Sequence, residues 1–233
     1  MKKLVILILL SVVCFAIAIL SGCMISSDKN AEGKKVLYIS DNKLNNGEEL
    51  NIKSGDLKEA DEQINKVSNN FFFNKPSTRP KHVKIIVFKE SRVLELYGDD
   101  KVIGRFKIGL GGNPSGDKNK EGDSKTPEGE YYICSRNDKS QFCLFLGLSY
   151  PNSEDAQRGL SNDLIDKRTF GKIKTAEDNK QLPPWDTPLG GAVGIHGGGS
   201  SRDWTLGCIA LEDEEIKILW EYTKLKTPVL IYE

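Results

Sequence analysis

The stretch Gly194-Ile195-His196-Gly197-Gly198-Gly199-Ser200-Ser201-Arg202-Asp203-Trp204-Thr205-Leu206-Gly207-Cys208-Ile209-Ala210-Leu211 decides how the rest of the chain is read. It opens on the end of Ala192–His196, which reads as a short strand. A glycine-rich connection follows that can fold His196 back toward Cys208. A thiol has an ordinary pKa of about 8.5 and needs a neighbouring base to act as a nucleophile at neutral pH. Imidazole is the commonest such base. Gly197 allows close approach of backbone to a ligand, and Gly207 a tight turn into Cys208. Backbone N–H groups at Gly197 and Gly207 are candidates to hold a developing oxyanion. Read as an isolated pair, a buried thiol and a core histidine are the competing interpretation.

Working outward, Asp213–Lys224 has Ile216, Leu219, Trp220 and Thr223 at helical spacing, and Val229–Tyr232 reads as a final strand. Glu212–Glu215 suit a helix N-terminus and are expected to point away from the sulfur. Upstream, Val83–Phe88, Arg92–Tyr97 and Val102–Ile108 form a β-meander by composition and turn spacing. Further strands are expected near Glu130–Cys134, Phe142–Leu148 and Ala192–His196. Residues 152–168 read as two helical pieces split near Gly159, and 171–189 as irregular. The expected fold class is mainly β with a few helices.

The N-terminus carries a different signal. Lys2 and Lys3 precede an apolar run, Leu4–Leu20, which ends in Leu20-Ser21-Gly22-Cys23. A charged start, an apolar middle and small residues describe an export signal. The ending resembles the bacterial lipoprotein signal, which implies lipidation of Cys23, a membrane tether outside the cytoplasm and a periplasm-facing location in a Gram-negative cell. Residues 24–35 read as a polar tether, Val36–Ile39 as a short strand and Gly55–Val67 as a short helix. The turn-rich Lys75–Pro80 marks a boundary. The expected organisation is a signal peptide over 1–22, an anchored small segment over 23–80 and a catalytic domain over 81–233.

Composition narrows the function classes. Lys+Arg and Asp+Glu are both 33, so no basic excess points to nucleic acid. The two histidines and five cysteines lack zinc-like spacing, so neither a metal nor another cofactor is implied. Cys134 and Cys143 flank a candidate hairpin turn at Asp138-Lys139. A disulfide and two buried thiols both fit that placement. Lys118, Lys120 and Lys125 crowd one loop, either solvated or attracting an acidic substrate. Trp185 and Trp204 suit a substrate platform or a core.

The motif His196-Gly197 followed by Thr205-Leu206-Gly207-Cys208-Ile209 resembles the active site of the L,D-transpeptidase catalytic domain, the YkuD type. Gly122-Asp123-Ser124-Lys125-Thr126-Pro127-Glu128-Gly129 is similar to that family's Gly-Asp…Thr-Pro-x-Gly turn. Leu146–Asn152 and Asp203-Trp204-Thr205 resemble one of its branches. The resemblance covers about residues 82–233 and implies a YkuD-like β-sandwich with Cys208 as nucleophile and His196 as base. It implies peptidoglycan stem peptides as partners, with an envelope lipoprotein as a further acceptor or substrate. Arg202, Thr205 and Trp204 are the expected substrate-binding residues. The family often has histidine where this chain has Leu206, and arginine where it has Ala210. Arg202 is the expected electrostatic substitute for that arginine. Transpeptidation, hydrolysis by the same machinery and binding without catalysis are the three functions carried forward.

Overall fold

The computed structural model describes Met24–Lys29, Lys35–Ser40 and residues 70–233 of the chain. The chain divides into two units, Met1–Lys58 and Glu59–Glu233. In the first, β1 (Met24–Lys29) pairs antiparallel with β2 (Lys35–Ser40), so part of the stretch read as a tether is a hairpin strand. The expected export signal, the lipidation site Cys23 and the helix over 55–67 lie outside the described residues.

The second unit is built on strands whose burial follows their sequence pattern. In β4 (Val83–Phe88), Ile85 and Val87 alternate into the core. In β5 (Val93–Gly98), Val93, Leu94 and Leu96 are all buried, because both faces of this strand are covered. Glu95 is buried among them and is satisfied by the Tyr97 hydroxyl at 2.7 Å and by Arg105 at 3.6 Å. The other strands are β3 (Phe72–Phe73), β6 (Lys101–Lys107), β7 (Gly129–Ser140), β8 (Cys143–Leu148), β9 (Gly194–His196), β10 (Ile209–Ala210) and β11 (Pro228–Tyr232). They form one nine-stranded sheet in the order β10-β9-β8-β7-β11-β4-β5-β6-β3. Only β11–β4 and β9–β10 are parallel pairs. The sheet curls back on itself: Gly109, just past β6, exchanges both backbone hydrogen bonds with Ala210 of the edge strand β10. The mainly β class and the curled, sandwich-like sheet match the expectation, and Phe72-Phe73 joins this sheet through β6.

Three helices complete the described unit: α1 (Ser153–Ser161), α2 (Lys167–Asp178) and α3 (Asp213–Tyr222). Helix α3 buries Ile216 and Leu219 in the main core, as its spacing predicts, together with Tyr222, while Trp220 is only partly buried. The other two correct the sequence reading. Gly159 lies inside α1 instead of splitting it, since a Cβ there would stand 2.6 Å from Leu189. The glycine is a seat for close packing, and the break falls at residues 162–166. Helix α2 occupies part of the stretch read as irregular. Asp166 caps it by accepting the Thr169 N–H at 2.7 Å, and its polar surface hides a short apolar stripe of Ile173 and Ala176.

The Cys134–Cys143 hairpin is also corrected. The turn falls at Gln141-Phe142, so Cys143 opposes Ser140 while Cys134 sits near the far end of β8, between the pairs Ile133–Leu148 and Ser135–Gly147. Both cysteines are free thiols, because register holds their Cβ atoms apart. Burial pushes the Cys134 thiol up to about 12.

Candidate active site

The parallel pair β9–β10 brings His196 and Cys208 to one face. Ile195 pairs with Ile209 and His196 with Ala210, which sets Cys208 beside Gly194. Side chains alternate along a strand, and partners in register share a face. Cys208 therefore projects on the His196 side, one pleat along. Antiparallel β8 continues the row with Gly147 opposite Gly194 and Phe145 opposite His196. The neighbour of Cys208 on this face is thus a glycine, and the next is another. A Cβ on Gly194 would strike the Phe145 ring at 2.5 Å, and one on Gly147 would meet Ser135 Oγ and the Trp185 ring. The glycines let aromatic rings settle against the sheet beside the thiol.

His196 is held on three sides. Phe142 stacks on its ring at 4.6 Å between centroids, and Trp204 meets it edge-on at 5.6 Å. Trp204 is itself tied by its Nε1–H to the Gly199 carbonyl at 3.0 Å. Nδ1 lies 2.6 Å from the Gly197 carbonyl oxygen, which can only accept. Nδ1 therefore carries the proton, and Nε2 presents a lone pair, as a general base requires. Burial lowers the His196 pKa, and the bond to Gly197 only partly opposes that. The imidazole is neutral at pH 7.

Burial pushes the Cys208 thiol up, against the Gly194 N–H and the charge of Lys118, which favour the thiolate. The sulfur also lies 3.7 Å from the Ala192 carbonyl. Both directions favour a neutral thiol beside a neutral imidazole.

The turn that carries Cys208 is fixed from within. Thr205 Oγ1 donates to the Cys208 carbonyl at 2.7 Å and accepts the Gly207 N–H at 3.1 Å. Gly207 has φ +136°, and a Cβ there would lie 2.6 Å from the Lys125 carbonyl, so only glycine fits. Thr126 Oγ1 accepts the Gly111 N–H at 3.0 Å and locks the neighbouring loop. Asp203 accepts the Leu110 N–H at 2.8 Å and pairs with Arg92, also at 2.8 Å. These bonds give the Thr-Pro-x-Gly and Asp-Trp-Thr segments a physical role: they clamp the loops around residue 208.

Several expected roles change. The Gly207 N–H is taken by Thr205, and the Gly197 N–H by the Phe142 carbonyl at 3.0 Å, so neither is free for an oxyanion. Among the described residues, the N–H of Cys208 itself has no protein acceptor. Thr205 is buried and positions the turn instead of lining a substrate surface. Trp204 braces the histidine, and Arg202 is exposed. The acids of α3 do not all point away: Asp213 accepts the Gly198 N–H at 2.9 Å, and Glu212 accepts the N–H and hydroxyl of Ser200, both at 2.9 Å. They hold the glycine loop after His196. The sequence reading missed Phe142, whose place three residues before the β8 core gave no sign of its contact with His196.

Comparison with known proteins gives a family and several structural neighbours. Residues 82–231 match the family model for the L,D-transpeptidase catalytic domain, YkuD. No curated protein matches the chain. Among solved structures, an L,D-transpeptidase from Xylanimonas cellulosilytica is 12% identical with a TM-score of 0.39, over 78% of this chain and 71% of that one. Bd1075 of Bdellovibrio bacteriovorus is 21% identical with a TM-score of 0.43, over 70% of this chain and 54% of that one. The helical cell shape determining protein Pgp2 of Campylobacter jejuni is 21% identical with a TM-score of 0.45, over 74% and 55%. This chain thus spans little more than half the length of the Bdellovibrio and Campylobacter proteins.

Proposed function

The chain belongs to the L,D-transpeptidase catalytic-domain (YkuD) family, and from that premise we propose a cysteine-dependent acyltransferase acting on peptidoglycan stem peptides. Cys208 attacks the carbonyl between the third residue and the terminal D-amino acid. His196 Nε2 takes the thiol proton as the S–C bond forms. The oxyanion is met by the Cys208 N–H. The C–N bond then breaks, the imidazolium returns its proton to the departing amine, and a thioester remains. An amine on a neighbouring stem or on a protein attacks the thioester, loses its proton to His196 and frees the thiol. The observation that supports this reading is the parallel register of β9 and β10, which brings Cys208, the residue before β10, to the side of His196, with the Nδ1–H tautomer held by Gly197.

The proposed setting is the cell envelope, with the N-terminal signal directing export and Cys23 bearing the lipid. Incorporation of labelled palmitate that survives in Cys23→Ser protein would refute the anchor.

The activity is tested with the detergent-solubilised full chain and tetrapeptide stem fragments, by intact-protein and product mass spectrometry. A thioester on Cys208 together with dimeric stems is the expected result. A thioester with only shortened stems moves the assignment to a hydrolase of the same fold, a carboxypeptidase or an amidase that releases a linked lipoprotein. Binding to cell wall without an adduct leaves a non-catalytic envelope protein.

A further inference from the structure

Lys118 was read as one of three loop lysines, yet only 3% of its surface is exposed. A buried ammonium needs partners; this one donates to Asp123 Oδ1 at 2.7 Å and the Lys120 carbonyl at 3.0 Å, and lies over the Tyr150 ring, 5.9 Å from its centroid. An ammonium has three N–H donors, so one remains. Asp123 is fixed in turn by the N–H groups of Asn119, Lys120 and Lys125, at 2.8, 3.0 and 3.1 Å. Burial disfavours its charge, but Lys118 and these N–H groups outweigh that and hold the carboxyl below its usual range. The Gly-Asp segment is therefore a cradle that sets one lysine in place.

That place is beside the nucleophile. A Cβ built on Gly207, the residue before Cys208, would stand 3.8 Å from Lys118 Nζ. The charge is close enough to favour the Cys208 thiolate. The other nearby cations point elsewhere or lie in solvent. Lys125 Nζ donates to the Ser115 carbonyl at 2.7 Å, and Arg202 is exposed. Position 210, where the family often has arginine, is a fully buried alanine.

We propose that the remaining donor of Lys118 binds the free α-carboxylate of the terminal D-residue of the stem. This inference rests on the acyl-transfer reading above. In a C-terminal residue the carboxylate carbon is two bonds from the scissile nitrogen. A cation next to the sulfur is thus within reach of that carboxylate when the carbonyl meets Cys208. A charge-assisted bond in a desolvated setting is stronger than one in water, so the discrimination is large. The substrate class is a stem that ends in a free carboxylate at the residue being removed. Amide-capped stems and internal peptide bonds are disfavoured, because they leave the buried donor without an anion.

The test compares a tetrapeptide stem fragment with its C-terminal carboxamide, using the full chain and measuring the rate of acyl-enzyme formation. The wild type should prefer the acid by about tenfold or more, the factor for each 1.4 kcal/mol. Lys118→Met should slow both substrates, because the charge that favours the thiolate is gone, and should slow the acid more, so that the acid-to-amide ratio falls toward one. Lys118→Arg should restore part of it. Equal rates on the two substrates in the wild type overturn the inference without any variant. A preference that persists in a folded Lys118→Met protein overturns the assignment to this residue, with folding checked by melting temperature. If Lys118→Met does not fold, the wild-type ratio and Lys118→Arg decide. An adduct from both substrates without preference leaves the acyl-enzyme intact and removes only the carboxylate contact. An adduct from neither removes both.

Discussion

Two halves of the one sheet are built differently. Strands β4, β5 and β11 run five or six residues, are buried in register and need little from loops. Strands β9 and β10 run three and two residues; their register aligns His196 with the Cys208 turn, and the loops beside them hold both in place. The long strands draw stability from apolar burial. The short ones draw position from hydrogen bonds: Thr205 to Cys208, Asp213 to Gly198, Glu212 to Ser200 and Asp203 to Leu110. Stability and chemistry are thereby assigned to separate parts of one sheet, and substitutions should separate them.

The largest effect should come at the nucleophile. Cys208→Ala should abolish adduct formation and leave the unfolding free energy within about 1 kcal/mol of wild type, since a single sulfur atom is removed from a half-buried residue. A folded Cys208→Ala protein that still formed a stem adduct would break the comparison at its centre. His196→Ala should slow acylation by about 10²–10⁴-fold, the range for a lost general base. In contrast, Ile85→Ala in the core of β4 should cost about 2–5 kcal/mol of stability and leave the rate per folded molecule unchanged. Denaturation and single-turnover acylation on the same sample measure both.

Smaller effects sharpen the contrast. Thr205→Val removes the hydroxyl that ties Gly207 to Cys208 and leaves a buried N–H without its acceptor, a loss of about 1–3 kcal/mol. Acylation should fall more than global stability does, because the turn and not the core is loosened.

The pH dependence follows from the burial of His196. Its pKa in the fold lies below the ordinary imidazole value of about 6.5. The neutral base therefore persists below that pH, and acylation is lost only as pH falls through the lowered value. The same shift has a stability cost with the same sign. Below pH about 6.5 the unfolded chain binds a proton that the fold resists, so stability decreases toward acid until the folded histidine also titrates. An acylation profile with its acid limb above pH 6.5 would contradict a buried, neutral base.

The smallest effect is expected at Leu206, which is 81% exposed where the family often has histidine. Leu206→His should change stability by less than about 0.5 kcal/mol. A large gain in acylation from that change would show that the exposed position participates in the chemistry.

The meander was legible in the sequence because each strand carries its own alternation of apolar and polar residues, bounded by turns such as Gly98-Asp99-Asp100. Helix α2 was not, because its apolar stripe is two residues wide within a charged segment, and Gly159 gave a false break. At the site, His196 and Cys208 could be singled out from the glycines around them and from the family resemblance. Their supporting shell could not: Phe142, Glu212, Asp213 and Lys118 reach the site from separate segments.

By itself the sequence determined the residue types for a thiol and a base, the glycines where no side chain fits and the alternation that makes a sheet. Those are local properties, written in neighbouring residues. Only the tertiary structure decided that Cys134 and Cys143 do not meet, that the Gly197 and Gly207 N–H groups are already occupied, and that a loop lysine is buried beside Cys208. Each of these depends on strand register or on loops folding over one another. Register shifts of a single residue turn a side chain to the other face, so such contacts are set by the whole sheet and not by any segment of it.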